Sequence, residues 1–182
     1  MSRKKQIEET LHCLIGHPLW GAGRVANLLS FQFGPGRWRT NLRGQASEVR
    51  TYALHVQCAW HLAKAHRLIA ASGDLSFPPG EESKNANPLE RDPYQWPKKE
   101  RTLLDEQLCH FFLQYEKMPV VVQGLQANDL GGLNITLSDD HILTIFPDTS
   151  SDDEEYWRFF QPATDLPHFV VTAQGIERQE EE

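Results

Sequence analysis

Eight histidines, three cysteines and 25 carboxylates are the groups of this chain that could ligate a metal, attack a carbonyl or carry a proton. Their spacing argues against most of that chemistry. His55 and His61 stand six residues apart on a stretch that alternates like a strand. At about 3.3 Å per residue that is roughly 20 Å, too far for two ligands of one ion. His12 and His17 straddle the end of a helical stretch and share no face. Cys13, Cys58 and Cys109 form no C-x-x-C, so neither a disulfide framework nor a zinc ribbon follows. Cys58 falls on the apolar side between Val56 and Trp60, where burial raises a thiol's pKa and makes it inert. Gly21 to Ala26 reads G-x-G-x-x-A, but a dinucleotide fingerprint needs a strand before it and a helix after it. Here His17-Pro18 precedes and a strand-like run follows, so a glycine turn folding Trp20 back on the strand is the simpler reading. No metal and no cofactor are expected. Without a nucleophile motif the chain leans away from being an enzyme.

Three constellations remain. The first is acidic: Asp148, Asp152, Asp153, Glu154 and Glu155, followed at once by Trp157 and Arg158. Residues 148–182 hold ten acids and two bases, whereas residues 1–147 balance to +1, so the net −7 is C-terminal. A charge block of this kind suits a basic protein partner, with Trp157 and Arg158 as anchors. The second is the polar side of the 54–62 stretch, His55, Gln57 and His61, which could line a ligand or catalytic pocket. The third is basic: Arg37, Trp38, Arg39, Arg43 and Arg50 with a single acid, Glu48. Arginines interleaved with an aromatic suit phosphate contact and base stacking. Internal pairing of this segment with the acids near Asp152 explains both blocks at once and disfavours nucleic acid.

The elements that must position these groups are legible in the apolar period. Ile7, Leu11, Leu14 and Ile15 form a helical stripe that Gly16 and Pro18 end. Leu29, Phe31 and Phe33 alternate as a strand that Gly34-Pro35-Gly36 breaks, and a basic loop runs from Arg37 to about Arg50. Leu54, Val56, Cys58, Trp60 and Leu62 share the inner face of one strand, with 68–71 as a hairpin partner. Thr102 and Asp105 open a second helix with Leu104, Leu108, Phe111, Phe112 and Tyr115 on its core face. Strands follow at 120–126, 133–137, 141–146, 156–160 and 168–172, with a tight turn at Asp139-Asp140. The expected fold is α+β, a mostly antiparallel sheet of about seven short strands with two packed helices, in one domain over 1–176. Residues 78–99 read as a long surface loop, pinned or not by Tyr94 and Trp96, and 177–182 as a frayed acidic tail.

No apolar run nears the roughly 20 residues of a spanning helix, and the basic start lacks a signal peptide's apolar core. A cytoplasmic protein that binds no membrane is the expectation. The stretches Pro18 to Arg24, Phe31-Gln-Phe33, Tyr52 to Trp60, Ile145 to Asp148, Tyr156-Trp-Arg158 and His168 to Val171 resemble a family of small bacterial proteins without an established activity. The resemblance implies a bacterial cytoplasmic protein and transfers no catalytic residue. The functional expectation is a non-enzymatic binding or inhibitory protein, immunity- or antitoxin-like, that engages a basic protein through its acidic face. A small enzyme or ligand-binding domain is the alternative, and nucleic-acid contact through the Arg37–Arg50 segment the third.

Overall fold

Ser2 starts the first helix, its hydroxyl accepting the Lys5 N–H at 3.3 Å. The computed structural model describes residues 1–40, 46–80 and 101–179. Helix α1 (Arg3–Leu11) runs into a 3₁₀ turn at His12–Leu14, and together they bury Ile7, Leu11 and Leu14 completely. Ile15 leaves the expected stripe and is 41% exposed, because the chain turns out of helical geometry at Gly16, where φ is +85°. Helix α2 (Leu103–Gln114) opens as its sequence requires: the Asp105 carboxylate accepts from the Thr102 backbone N–H at 2.9 Å and hydroxyl at 3.0 Å.

The strands make two sheets, not one. The first has the order β1 (Leu19–Val25), β2 (Leu28–Thr40), β3 (Ala46–Val56), β9 (Glu155–Phe160), β10 (His168–Thr172), β11 (Ile176–Gln179). The second has the order β5 (Arg67–Ala71), β4 (Ala59–Lys64), β8 (His141–Phe146), β7 (Leu133–Leu137), β6 (Val122–Ala127). Every pairing is antiparallel. The α+β, antiparallel expectation holds, while the single sheet of about seven strands is corrected to eleven strands in two layers among the described residues. The physical reason lies at Gln57-Cys58. The alternating run 54–62 is two strands, β3 and β4, and the chain changes sheets between them. Both N–H groups at the crossing donate to the Tyr156 carbonyl, at 2.9 and 3.1 Å, so the step leaves neither donor unsatisfied. Alternation in sequence is preserved across the step, because both sheets present their apolar side to the same interior. Leu54 and Val56 from one sheet and Trp60 and Leu62 from the other are all buried in one core. Phe31 of β2 meets Trp60 of β4 edge to face at 5.2 Å, a contact between the layers.

Four further expectations change. Gly34-Pro35-Gly36 does not break β2; it is a bulge, with the register shifting between Phe33 and Gly36. Gly34 has φ +79°, and a Cβ there would lie 3.2 Å from the Thr51 Cβ. Beyond the bulge the predicted basic loop is strand: Gly36 pairs with Arg50 and Thr40 with Ala46. The run Gly21 to Ala26 is not a turn around Trp20 but most of β1 and its hairpin to β2, so the strand-then-helix setting of a dinucleotide site is lacking. Ile176–Gln179 is a strand on β10 rather than the start of a frayed end. Most of the expected 78–99 loop, with Tyr94 and Trp96, lies outside the described residues.

The helices fill what the sheets leave open. α1 packs on β6, and α2 on β5, β1 and the 3₁₀ turn Ser72–Ser76. Asp105 also receives Arg24 of β1 in a two-point pair at 2.9 and 2.8 Å, tying α2 to the first sheet. At the other edge of β1, backbone bonds from Gly16 to Val122 and from Leu19 to Val120, each 2.8 Å, join the two layers. No helix among the described residues is long and apolar enough to cross a membrane.

Trp60→Ala removes the ring that couples the layers. It should cost about 3–5 kcal/mol in urea denaturation, and a Phe31/Trp60 double-mutant cycle should return about 0.5–1.5 kcal/mol of coupling. An unchanged midpoint would contradict the shared core.

Candidate functional site

The strand register decides which side chains meet. On the outer face of the first sheet, Ser30 of β2 pairs with His55 of β3, His55 with Arg158 of β9, and Arg158 with Val170 of β10. Phe160 stands two residues beyond Arg158 on the same side, and His168 two residues before Val170. This row closes into a network. The Arg158 guanidinium binds the Glu155 carboxylate through Nε at 2.7 Å and through a second, very short contact. Its other nitrogen lies 3.4 Å from Nδ1 of His168. Phe160 stacks on His168 at 4.2 Å and receives His55 edge to face at 4.6 Å. Burial first, then the positive charge of Arg158, lowers the His55 pKa to about 4. Its imidazole is therefore neutral near pH 7.

A shallow groove of 230 Å³ lies beside this row, between the foot of the β2–β3 ribbon and the end of β9. Ser30, Gln32, Arg50, His55, Phe160 and Pro162 border it. The predicted polar face is thereby divided. His55 reaches the groove. Gln57 is exposed at the crossing between sheets, and His61 belongs to the second sheet beside Phe146, at 5.9 Å. The three residues do not converge, because the strand they were placed on changes layers at 57–58. Cys58 is buried and its thiol is pushed up to about 12, by burial and then by Asp148, which suits packing and not attack.

The acidic segment is where the sequence put it, with different members. Asp152, Asp153 and Glu154 are exposed, and their side chains meet no cation among the described residues. Asp148 is exposed and accepts the Ala59 N–H at 3.1 Å, which fixes the start of β4. Glu155 is engaged by Arg158. Trp157 is fully buried and donates its indole N–H to Gly131 O at 2.8 Å, so it anchors the core and not a partner. Gly131 itself has φ +94°, and a Cβ there would lie 3.0 Å from Val171. Trp157 and Arg158 therefore leave the expected docking set: period two on β9 turns Trp157 inward and Arg158 into the sheet's own network.

The basic segment is a ribbon rather than a loop. β1 pairs with β2 only as far as Phe33, and β9 with β3 only as far as Ala53. Among the described residues, 36–40 and 46–50 thus pair with each other alone. Arg37 and Trp38 are exposed, Trp38 at 78%. Arg50 lies over the Trp20 ring at 4.8 Å and 3.3 Å from Glu48. Arg43 and the Arg39 side chain lie outside the described residues. The acidic turn enters β9 at the Val56 end of β3, whereas Arg37 is paired with Val49. Seven residues at about 3.3 Å make roughly 23 Å. Internal pairing of Arg37 with the Asp152 segment is excluded by that distance; the same pairing for Arg39 or Arg43 falls outside the described residues.

The network of Arg158, Glu155, Phe160 and His168 went unread in the sequence. Its one signal was the alternation of Arg158 and Phe160 on a strand whose other side, Trp157 and Phe159, is apolar. Compared with known proteins, the chain matches no family model, no curated protein and no solved structure.

His55 gives a pH test. The folded state holds it near 4 while the unfolded chain protonates near 6.5, so below pH 6.5 the unfolded state binds the extra proton. Its share of stability is complete above pH 6.5 and is lost as pH falls toward 4. His55→Gln should flatten the decline in denaturation midpoint over that window. Imidazole NMR shifts of His55 that already titrate at pH 6.5 would contradict it.

Proposed function

We propose that this chain is a non-enzymatic binding protein that engages a basic protein partner through the acidic turn before β9, in the manner of an immunity or antitoxin-like inhibitor. The observation that carries the reading is that Asp152, Asp153 and Glu154 stand exposed, without a cation among the described residues, some 23 Å along β3 from the basic ribbon, as estimated at about 3.3 Å per residue. Crowded carboxylates repel one another, so the folded monomer gains nothing from holding them together. A partner's lysines and arginines relieve that repulsion on contact and are drawn in by the same field. The docking set is Asp148, Asp152, Asp153 and Glu154; Asp148 fixes the turn to β4 while its charge adds to the set. A cytoplasmic setting and a bacterial source belong to this reading.

The ligand-pocket alternative keeps one support, the groove at His55. A neutral imidazole beside Ser30 could accept a proton from a bound group, but Gln57 and His61 are not there to help. The groove is better suited to contact than to chemistry.

The triple variant Asp152→Asn, Asp153→Asn, Glu154→Gln tests the reading. Its denaturation midpoint should equal or slightly exceed that of the parent chain, since it removes only repulsion. Against a basic protein recovered from the native host, association should slow at least several-fold, and the parent's rate should fall as salt rises, the Debye length being about 10 Å at 0.1 M. Wild-type association kinetics across a salt series would end the proposal.

A further inference from the structure

β3 is eleven residues long, and its two edges are used unequally. One edge pairs with β2 along its whole length, from Leu29↔Val56 to Thr40↔Ala46. The other pairs with β9 only from Trp157↔Val56 to Phe160↔Ala53. There β9 stops, because the chain reaches Pro162, which lacks an N–H, and turns aside. Among the described residues nothing takes up the lane that β9 vacates beside 46–52. An open strand edge is a row of donors and acceptors at strand spacing, and an extended backbone is the group that satisfies it.

We infer that this vacated lane is a peptide-binding edge, which takes an extended acidic segment as an added strand in continuation of β9. The 230 Å³ groove borders the start of the lane, lined by Phe160 and Pro162 at the end of β9, by Arg50 and Ala53 of β3, and by Ser30 and Gln32 of β2. It accepts one apolar or aromatic side chain of the incoming strand, since alternate residues of an added strand point to one face. Gln32 and Ser30 make no side-chain hydrogen bond among the described residues and stand ready to bond that residue's polar rim. The charge of the partner follows from the described side chains of the ribbon, where Arg37 and Arg50 stand against a single acid, Glu48. Arg37 and Trp38 stand one strand over, on β2 opposite Val49 and Glu48, and both are exposed, within reach of the acidic side chains of a strand laid against β3. This surface is separate from the acidic turn and serves a partner of opposite charge, so it stands whether or not that turn binds a basic protein.

The probe is a fluorescein-labelled heptapeptide that alternates glutamate with valine and carries a central phenylalanine. Its controls are the same peptide with lysine for glutamate, two versions N-methylated at odd or at even positions, and a labelled oligothymidine. The acidic peptide should bind saturably to the intact protein and weaken as salt rises. The lysine peptide should bind at least tenfold more weakly. One N-methylated version should lose at least tenfold and the other keep its affinity, because only alternate amides face β3. Hydrogen exchange should slow at 46–52. Arg37→Glu, an exposed change that leaves the fold intact, should weaken the acidic peptide several-fold. The inference is overturned by no binding of the acidic peptide at millimolar concentration, or by binding indifferent to N-methylation. Preference for the oligothymidine would make the ribbon a nucleic-acid arm. A concentration-dependent dimer protected at 46–52 would make a second copy the occupant. Either result overturns it as well.

Discussion

One carbonyl fixes the point where the chain passes from one layer of this protein to the other. The chain leaves β3 at Val56 and enters β4 at Ala59, and between them the N–H groups of Gln57 and Cys58 both bond to the Tyr156 carbonyl. A chain that steps from one sheet to another buries backbone donors in mid-step, and each would cost about 1–3 kcal/mol if left without an acceptor. Tyr156 supplies that acceptor because it stands near the start of β9, one residue before the Trp157↔Val56 pair that opens the ladder with β3. Asp148 secures the next N–H, at Ala59, from the loop leading to the same strand. The segment 148–156 therefore does two jobs. The buried Tyr156 and the exposed carboxylate of Asp148 fasten the crossing, while Asp152, Asp153 and Glu154 are carried outward.

The same constraint sets the electrical shape of the molecule. The acidic turn must stay at the Val56 end of β3, where its anchors are. Arg50 lies toward the other end of that strand and Arg37 on β2 beside it. A strand is stiff along its length, so the two blocks cannot collapse on each other without breaking the Trp157↔Val56 to Phe160↔Ala53 ladder. Charges that would have cancelled inside one monomer are left as two poles. On the proposed reading, that separation, and not the net charge alone, leaves each end to a partner of opposite charge.

What the sequence conveyed depended on how local the determining contact was. Both helices, the hairpin partner of β4 and the strands of the second half follow from apolar period and capping, which are contacts within a few residues. Two adjoining sheets stayed hidden because alternation from Leu54 to Leu62 is the same whether the strand is one or two; the step at Gln57-Cys58 is set by Tyr156, about a hundred residues away. The bulge at Gly34 to Gly36 looked like a strand end because glycine and proline mark both. On the site side, the acidic turn was legible as charge. Trp157 was misread because interfaces and cores favour the same ring, and only the inward turn of alternate residues on β9 tells them apart. The Arg158 network draws on β3, β9 and β10, and no local spacing announces it.

The separation of the two poles can be measured directly. With the exposed Cys13 replaced by serine and Cys58 and Cys109 left buried, cysteines introduced at Trp38 and Asp153 carry spin labels. Trp38 pairs with Glu48, eight residues along β3 from Val56, so pulsed dipolar spectroscopy should give a single distance of roughly 25 Å or more at about 3.3 Å per residue. A distance below about 15 Å would mean that the ribbon folds back onto the acidic turn, and the account of two vacant poles would be wrong.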